Sequence, residues 1–304
     1  MTMEPTLPSL HGLTTSHIPQ NGSWSPPSSR RGPARANAHT DHHAAVDLQP
    51  PPPARKSELS AALDTYDAQY MPGHPKSLSG IATRAFLLGA VFVLSLTLTL
   101  YALFFNTTPL WRIPVFFTIL SIFHFLEFWT TAHYNTRAAQ VSSFLLSQNS
   151  SGYNIAHTAA LLECLLTSLL FPHRAWLSPT LCNALLCTGV LFVVTGQAIR
   201  SAAMIAAGTN FNHMVQIKKE ASHRLVTTGV YAYLRHPSYF GFFWWGLGTQ
   251  LLLGNALCFT GYAVVLWRFF SQRIVREEKL LVGFFGNDYV AYRKRTRVGI
   301  PFIQ

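Results

Sequence analysis

The chain has 304 residues, of which 49% are hydrophobic and only 12% are charged, roughly half the charged share of a soluble domain. Because residues 1–78 are polar, the rest of the chain is more apolar still, which excludes an ordinary water-soluble fold and indicates a membrane protein. The formal net charge of +11 would suit nucleic-acid binding, but the basic residues lie at the edges of long apolar runs, a pattern typical of membrane topology.

The first part of the chain, residues 1–78, holds most of the proline, including a run at residues 50–53. Such a composition cannot bury enough apolar surface to offset the entropy of the chain, so a disordered N-terminal extension is predicted. A short helix is expected within it near residues 57–69. The start of the chain has no basic region followed by an apolar one, which argues against a cleaved signal peptide.

Residues 79–304 are predicted to form one membrane domain of the all-α class, a polytopic bundle of transmembrane helices. A helix needs about 20 apolar residues to span the hydrocarbon core, and shorter runs are also compatible with re-entrant helices, so seven or eight spans remain open beside a count of six. The last two spans are separated only by Gly254 and Asn255, which predicts a tight helical hairpin. The six apolar runs are residues 81–105, 111–133, 155–171, 181–206, 239–253 and 256–271.

Lysine and arginine residues predict the orientation of the bundle. Six spans put residues 1–84, 207–237 and 273–304 on one face, and these segments carry seven, four and seven basic residues. The two loops on the other face carry only Arg112 and Arg174. The basic face is therefore predicted to be cytosolic.

A polar stretch at residues 210–239 connects the fourth and fifth runs and contains His213, His223 and His236 among amides, arginines and tyrosines. A solvated connector is the simpler interpretation, but connectors in compact bundles are usually short. The histidine spacings match no standard ligand motif, which argues against a metal site. The four cysteines lie in apolar stretches without a CxxC pair, which predicts small buried hydrophobes.

A second polar stretch, residues 273–303, follows the sixth run on the same face of the membrane. If the last span continues as a helix, Arg273 and Glu277 are i, i+4 and share one face of it. By itself this pattern also fits a helix end with an ion pair and a basic tail on the membrane surface. Because an even number of spans separates the two polar stretches, they can meet in a single site.

Ionisable residues inside the apolar runs are costly at membrane depth and are candidates for function. His124 and Glu127 are i, i+3 in the second span, and His157 and Glu163 lie in the third. Structural pairing and a functional role remain equally open for each of them.

Several segments resemble the isoprenylcysteine carboxyl methyltransferase family over roughly residues 115–304. The RHPSY and EE elements alone also occur in membrane methyltransferases that act on phospholipid amines, and sterol reductases carry a similar HPxYxG piece. The longer run through NFNH and the basic tail makes the resemblance specific. The matching segments are residues 124–135, 142–150, 208–216, 223–241, 244–250, 267–281 and 284–303.

The resemblance implies transfer of a methyl group from S-adenosylmethionine to the C-terminal carboxylate of a farnesyl- or geranylgeranyl-cysteine. It also implies the endoplasmic reticulum membrane, with the site facing the cytosol. Arg273 would contact the substrate carboxylate, and Arg224 would contribute through its backbone only. The cofactor-binding residues that the resemblance implies are Gln216, His223, Arg224, Leu225, Val226, Tyr231, His236, Pro237, Ser238, Tyr239 and Glu277.

The residue types suit this chemistry. A carboxylate is already ionised at neutral pH and needs no general base, so alignment should dominate the rate. Arg273 can grip a carboxylate with its planar fork, and Glu277 can balance the cationic cofactor. The prenyl chain is expected to reach the site from within the bilayer, between the second span, the third span and the hairpin.

Two other classes of function remain open on the sequence. One is a membrane methyltransferase that acts on a phospholipid amine. The other is a non-catalytic scaffold, or a transporter that uses the ionisable residues of the second and third spans. The expected partners are prenylated proteins and the bilayer, and neither nucleic acid nor metal is expected.

Overall fold

Helices dominate residues 58–106, 108–146, 151–172 and 177–304, which the computed structural model describes. Each of the six predicted spans coincides with one helix from α2 to α7, so the all-α prediction is confirmed. The helices are α1 Glu58–Ala68, α2 Leu78–Tyr101, α3 Arg112–Tyr134, α4 Ser151–Leu170, α5 Pro179–Ala207, α6 Pro237–Leu253, α7 Leu257–Phe285 and α8 Asn287–Arg295.

The N-terminal part of the described chain begins with α1, which confirms the short helix predicted near residues 57–69. Of residues 1–78, which were predicted to be disordered, residues 1–57 lie outside the described residues, whereas residues 58–77 form α1 and hydrogen-bonded turns. Turns after α1 lead to Ser77, whose hydroxyl accepts a hydrogen bond from the Gly80 amide at 3.1 Å and caps α2.

Three helical stretches are long and apolar enough to cross a membrane by length and composition, namely Leu78–Asn106, Pro109–Tyr134 and Pro179–Asn210. Large apolar side chains such as Phe86, which is 75% exposed, cover the outside of α2 and suit contact with lipid. Of the other helices, α6 has only 17 residues and α7 is charged in its second half. The chain is a multi-pass membrane protein, and the count of six spans stays a prediction.

The helices α5 and α6 pack with their backbones in close contact through glycines two turns apart on each helix. A Cβ atom on Gly196 would lie 2.6 Å from the Gly241 carbonyl oxygen, and one on Gly248 would lie 2.8 Å from the Val193 amide. Small residues allow this approach of backbones between membrane helices. The contact fixes α6, and with it the polar residues at the start of α6, against the long helix α5.

The hairpin between α6 and α7 is as tight as predicted, because α6 ends at Leu253 and α7 begins at Leu257. The Glu163 carboxylate of α4 accepts hydrogen bonds from the amides of Ala256, Leu257 and Cys258, at the start of α7, at 2.7 to 2.9 Å. These amides have no partner within their own helix. Glu163 therefore has the contacts of a helix cap.

Candidate active site

A cavity of about 1200 Å³ joins the first polar stretch to α4, α6 and α7. Ten of the twelve site residues predicted from the sequence line the cavity, whereas Leu225 and Val226 lie half-buried in the adjoining loop and do not line it. The predicted residues that line it are Gln216, His223, Arg224, Tyr231, His236, Pro237, Ser238, Tyr239, Arg273 and Glu277.

One face of α7 forms a wall of the cavity along the whole helix. Lining residues recur every three or four positions from Leu257 to Phe285, and Arg273 and Glu277 belong to this stripe. Tyr153, Ala156 and His157 of α4 also line the cavity. The cavity therefore extends from the polar segments into an apolar cleft at the level of the predicted spans.

Arg273, Tyr239 and Glu277 form a connected group inside the cavity. The Arg273 Nε donates to the Tyr239 hydroxyl at 2.8 Å, and its Nη2 donates to the His213 carbonyl at 2.5 Å. The Tyr239 hydroxyl in turn donates to the Glu277 carboxylate. Arg273 and Glu277 share a helix face as predicted, and the tyrosine hydroxyl links them.

The guanidinium of Arg273 has an N–H donor left for a hydrogen bond to a ligand. Its Nη1 has no hydrogen-bond partner within the described part of the chain, and the side chain is half-buried at the cavity wall. The Tyr239 ring, which carries the bridging hydroxyl, lies parallel to the His236 ring with centroids 5.5 Å apart. It also stacks on Phe270 at 5.2 Å, so the group is held from both sides.

The Tyr239 hydroxyl is expected to matter for activity more than for stability. Tyr239→Phe keeps the ring stacking but releases both Arg273 Nε and the Glu277 carboxylate, and a hydrogen bond to a charged group is worth roughly 1.5–3 kcal/mol. We expect kcat/KM to fall by roughly tenfold or more, measured by the methyl transfer that the resemblance implies, whereas the unfolding temperature should fall by no more than a few degrees because water in the cavity can replace the lost hydroxyl. Tyr233→Phe is the matched control because Tyr233 is 79% exposed. An equal loss in both variants would contradict the assigned role.

The second glutamate of the EE pair, Glu278, has a different role from Glu277. It is buried and accepts hydrogen bonds from Arg235 Nε at 2.6 Å and from His236 Nε2 at 3.2 Å. Burial by itself would raise the pKa of its carboxyl, but the hydrogen bonds and charges of His236 and Arg235 outweigh it and lower the pKa to about 2. Glu278 is thus a permanent anion that holds the residues just before α6.

The C-terminal tail, residues 296–304, also forms hydrogen bonds to the residues just before α6. The Arg235 amide donates to the Arg297 carbonyl at 2.9 Å, and the Arg297 amide donates to the Tyr233 carbonyl at 3.2 Å. The Tyr292 hydroxyl donates to the Tyr231 carbonyl at 2.7 Å. Burial raises the pKa of the Tyr231 hydroxyl well above its usual value, so this cavity residue stays neutral.

A buried ionic network under the cavity was not foreseen from the sequence. Arg200 of α5 pairs with Glu127 of α3 through Nε at 2.5 Å and Nη2 at 2.8 Å, and its Nη1 donates to the Ser238 hydroxyl at 2.9 Å. His213 Nε2 lies 2.9 Å from Glu127 Oε2, the oxygen that Arg200 Nη2 also contacts. An arginine within an apolar run was the signal, because an ionisable group at that depth needs a partner.

The remaining ionisable residues of the second and third spans divide between separate contacts. His124 lies 2.8 Å from the Phe144 carbonyl and 3.0 Å from the Tyr153 hydroxyl, so it does not pair with Glu127. His157 lies 2.9 Å from the Tyr153 carbonyl. With Glu127 bound to Arg200 and Glu163 capping α7, the four residues do not form the continuous polar path that a transporter would need.

The fold and the site together define a class of protein: a multi-pass helical membrane protein with one cavity that joins polar loops to a cleft at membrane depth. The model of the isoprenylcysteine carboxyl methyltransferase (ICMT) family matches residues 189–283. The chain belongs to this family, as the following similarities establish.

The protein-S-isoprenylcysteine O-methyltransferase of Saccharomyces cerevisiae is 47% identical over 214 residues, which cover 70% of this chain and 89% of that protein. The Homo sapiens protein of the same name is 41% identical over 227 residues, 74% of this chain and 75% of that protein. The solved structure of a eukaryotic intramembrane Ras methyltransferase, ICMT, matches with a TM-score of 0.67 at 33% identity, over 81% of this chain and 84% of that chain.

Proposed function

We infer that the chain is a methyltransferase that esterifies the C-terminal carboxylate of a prenylated cysteine, and we propose S-adenosylmethionine as the methyl donor. The observation that carries this inference is the single cavity in which Arg273 stands between polar segments and an apolar cleft. A substrate with a carboxylate at one end and a prenyl chain at the other requires both environments within one molecule's length.

The apolar cleft along α7 suits the prenyl chain. Leu257 and Arg273 are 16 positions apart on one helix, a distance of about 24 Å at a rise of about 1.5 Å per residue. Tyr262, Val265 and Phe269 line the interval. Each buried CH₂ group contributes about 0.8 kcal/mol, so the cleft supplies binding energy to a long isoprenoid and none to a short polar acceptor.

The residues on the polar side of the cavity fit S-adenosylmethionine as the methyl donor. Stacked rings at His236 and Tyr239 suit a flat adenine, and Glu277 offers a carboxylate to a cation or to ribose hydroxyls. When bound, this cofactor supplies an electrophilic methyl group on a sulfonium sulfur. The residues proposed to hold it are Gln216, His223, Arg224, Leu225, Val226, Tyr231, His236, Pro237, Ser238, Tyr239 and Glu277, with Leu225 and Val226 contributing from the adjoining loop.

Arg273 is proposed to position the substrate carboxylate, with Glu277 completing the catalytic pair. The free Nη1 and the remaining Nη2 proton can donate to the two carboxylate oxygens, while Tyr239 and the His213 carbonyl fix the plane of the guanidinium. A carboxylate ionised at neutral pH needs no proton removed. Orientation of the attacking oxygen is therefore the main task of these residues.

We propose that the active domain is residues 79–304 and that it lies in the endoplasmic reticulum membrane with its site in the cytosol. The excess of lysine and arginine in residues 207–237 and 273–304 supports this orientation. A cytosolic opening also suits the two reactants, because S-adenosylmethionine and the body of a prenylated protein both come from water.

Gly261 offers a way to test where the prenyl chain lies. It lines the cleft, and a Cβ atom there would meet nothing within 4 Å, so Gly261→Phe fills the cleft without a clash. Displacing about two CH₂ groups of the substrate is expected to raise KM roughly tenfold, with unchanged affinity for S-adenosylmethionine. Gly283→Phe is the matched control on the same helix, since Gly283 is exposed and also has nothing within 4 Å. An unchanged KM in Gly261→Phe would contradict this path.

The acceptor itself is tested with labelled S-adenosylmethionine and vesicles that contain the full chain. N-acetyl-S-farnesylcysteine is expected to accept label that is released by base, as a carboxyl ester is. Phosphatidylethanolamine is expected to accept none. Base-stable label on phosphatidylethanolamine would instead identify a phospholipid amine methyltransferase, and no transfer by folded protein that binds the cofactor would overturn the proposed function.

A further inference from the structure

A second concave surface lies outside the active-site cavity, where α7, α8 and the C-terminal tail meet. We call it the tail groove, and its volume is about 600 Å³. Its lining combines the basic residues Arg293, Lys294 and Arg297 with the apolar residues Val282, Val290 and Val298. A groove lined by both basic and apolar residues matches a molecule that has an anionic head on a hydrocarbon chain.

The positive charge of the tail groove is mostly uncompensated. Arg293 Nε lies 3.3 Å from the Glu278 carboxylate, which Arg235 and His236 already hold. The exposed side chains of Lys294 and Arg297 form no ion pair within the described part of the chain. The groove therefore attracts an anion.

The tail also approaches the level of the bilayer. The Trp267 indole donates to the Pro301 carbonyl at 2.9 Å, and Trp267 belongs to the sixth predicted span. Phe302, which follows Pro301, is 94% exposed and has a φ of 62°. This is a left-handed conformation in which bulky residues are rarely found. An exposed aromatic side chain at this level suits the membrane interface. Since Ile303 and Gln304, which follow Phe302, line the groove, we expect the groove to lie beside the lipid headgroups.

We propose that the tail groove binds an anionic phospholipid of the bilayer, with the headgroup on Lys294 and Arg297 and the upper acyl chain on the valines. A free phosphate would contact the basic residues but would leave the valines without a partner. The backbone of Arg297 pairs with Tyr233 and Arg235, so a bound lipid also holds the tail against the segment that precedes His236. This binding does not depend on which acceptor the enzyme methylates.

The test measures motional restriction of spin-labelled lipids by the full chain in phosphatidylcholine vesicles. Spin-labelled phosphatidylserine is expected to be restricted in excess over spin-labelled phosphatidylcholine. One basic residue near the surface contributes roughly a fivefold factor in affinity. Lys294→Ala with Arg297→Ala should therefore lower the affinity for phosphatidylserine, relative to phosphatidylcholine, roughly 25-fold. Val290→Trp, which fills the groove at constant charge, should also abolish the excess.

The matched control is Lys218→Ala with Arg276→Ala, which removes two exposed charges elsewhere on the same face and should keep the excess. Inorganic phosphate, compared with chloride of equal ionic strength, should leave it unchanged. Equal restriction of the two labelled lipids by the unaltered chain would overturn the proposal. So would an equal loss in the control pair, a full excess in Val290→Trp, or displacement by phosphate.

Discussion

Arg273→Ala is expected to lower kcat/KM by at least about 100-fold while leaving the affinity for S-adenosylmethionine largely intact. Loss of one donor to a reacting oxygen typically costs on the order of 100- to 1000-fold in rate. Arg273 contacts Tyr239 and the His213 carbonyl but has Nη1 free for the carboxylate. Steady-state methyl transfer and direct binding of labelled cofactor measure the two quantities separately.

Two further variants sharpen this prediction. Arg276→Ala removes an exposed arginine three positions along α7 and should leave both rate and binding unchanged. Arg273→Lys keeps the charge but loses the planar fork, so it should recover little of the rate. Loss of cofactor binding as the sole defect of Arg273→Ala would show that Arg273 holds the donor and not the acceptor.

Arg200→Ala is expected to destabilise the fold by about 3–5 kcal/mol, because it leaves a buried carboxylate without its partner. Glu127 has no exposed surface, and Arg200 is its bidentate partner. The variant also removes the donor to Ser238, at the start of α6. Unfolding in detergent should therefore occur at a much lower denaturant concentration, and the residual folded fraction should bind the cofactor poorly.

The double variant Glu127→Leu with Arg200→Leu distinguishes the loss of one partner from the loss of both charges. Replacing both partners by apolar residues removes the need to bury charge, so this variant should be more stable than Arg200→Ala. Arg268→Ala, at an exposed arginine of α7, should change stability by less than about 0.5 kcal/mol. Equal stability of Arg200→Ala and the unaltered chain would contradict a structural role for the network.

The helices were predictable because the membrane imposes a length and a composition on each of them. The runs at residues 81–105 and 181–206 match α2 and α5 to within a few residues. The contact of Arg273 and Glu277 with one cavity followed from the helical period alone. Glu278, one residue further, is turned by about 100° on the helix and contacts Arg235, His236 and Arg293 instead, which the sequence did not indicate.

The buried network was beyond sequence reasoning for a different reason. Arg200 and Glu127 are 73 positions apart, and neither period nor spacing relates two residues on helices that meet only in the folded bundle. His124, three positions from Glu127, was the nearer candidate partner by sequence, but its ring faces Phe144 and Tyr153. Tertiary packing decides which neighbour an intramembrane charge finds.

In the proposed reaction, one cavity brings a free carboxylate and a prenyl chain to the same methyl donor. Initial rates of labelled methyl transfer to N-acetyl-S-farnesylcysteine, its C-terminal amide and N-acetylcysteine test this arrangement most directly. We predict base-labile transfer to the first compound alone, since the amide lacks the group that Arg273 is proposed to hold and N-acetylcysteine lacks the chain that the cleft is proposed to bind. Transfer to the amide or to N-acetylcysteine at a comparable rate would contradict it.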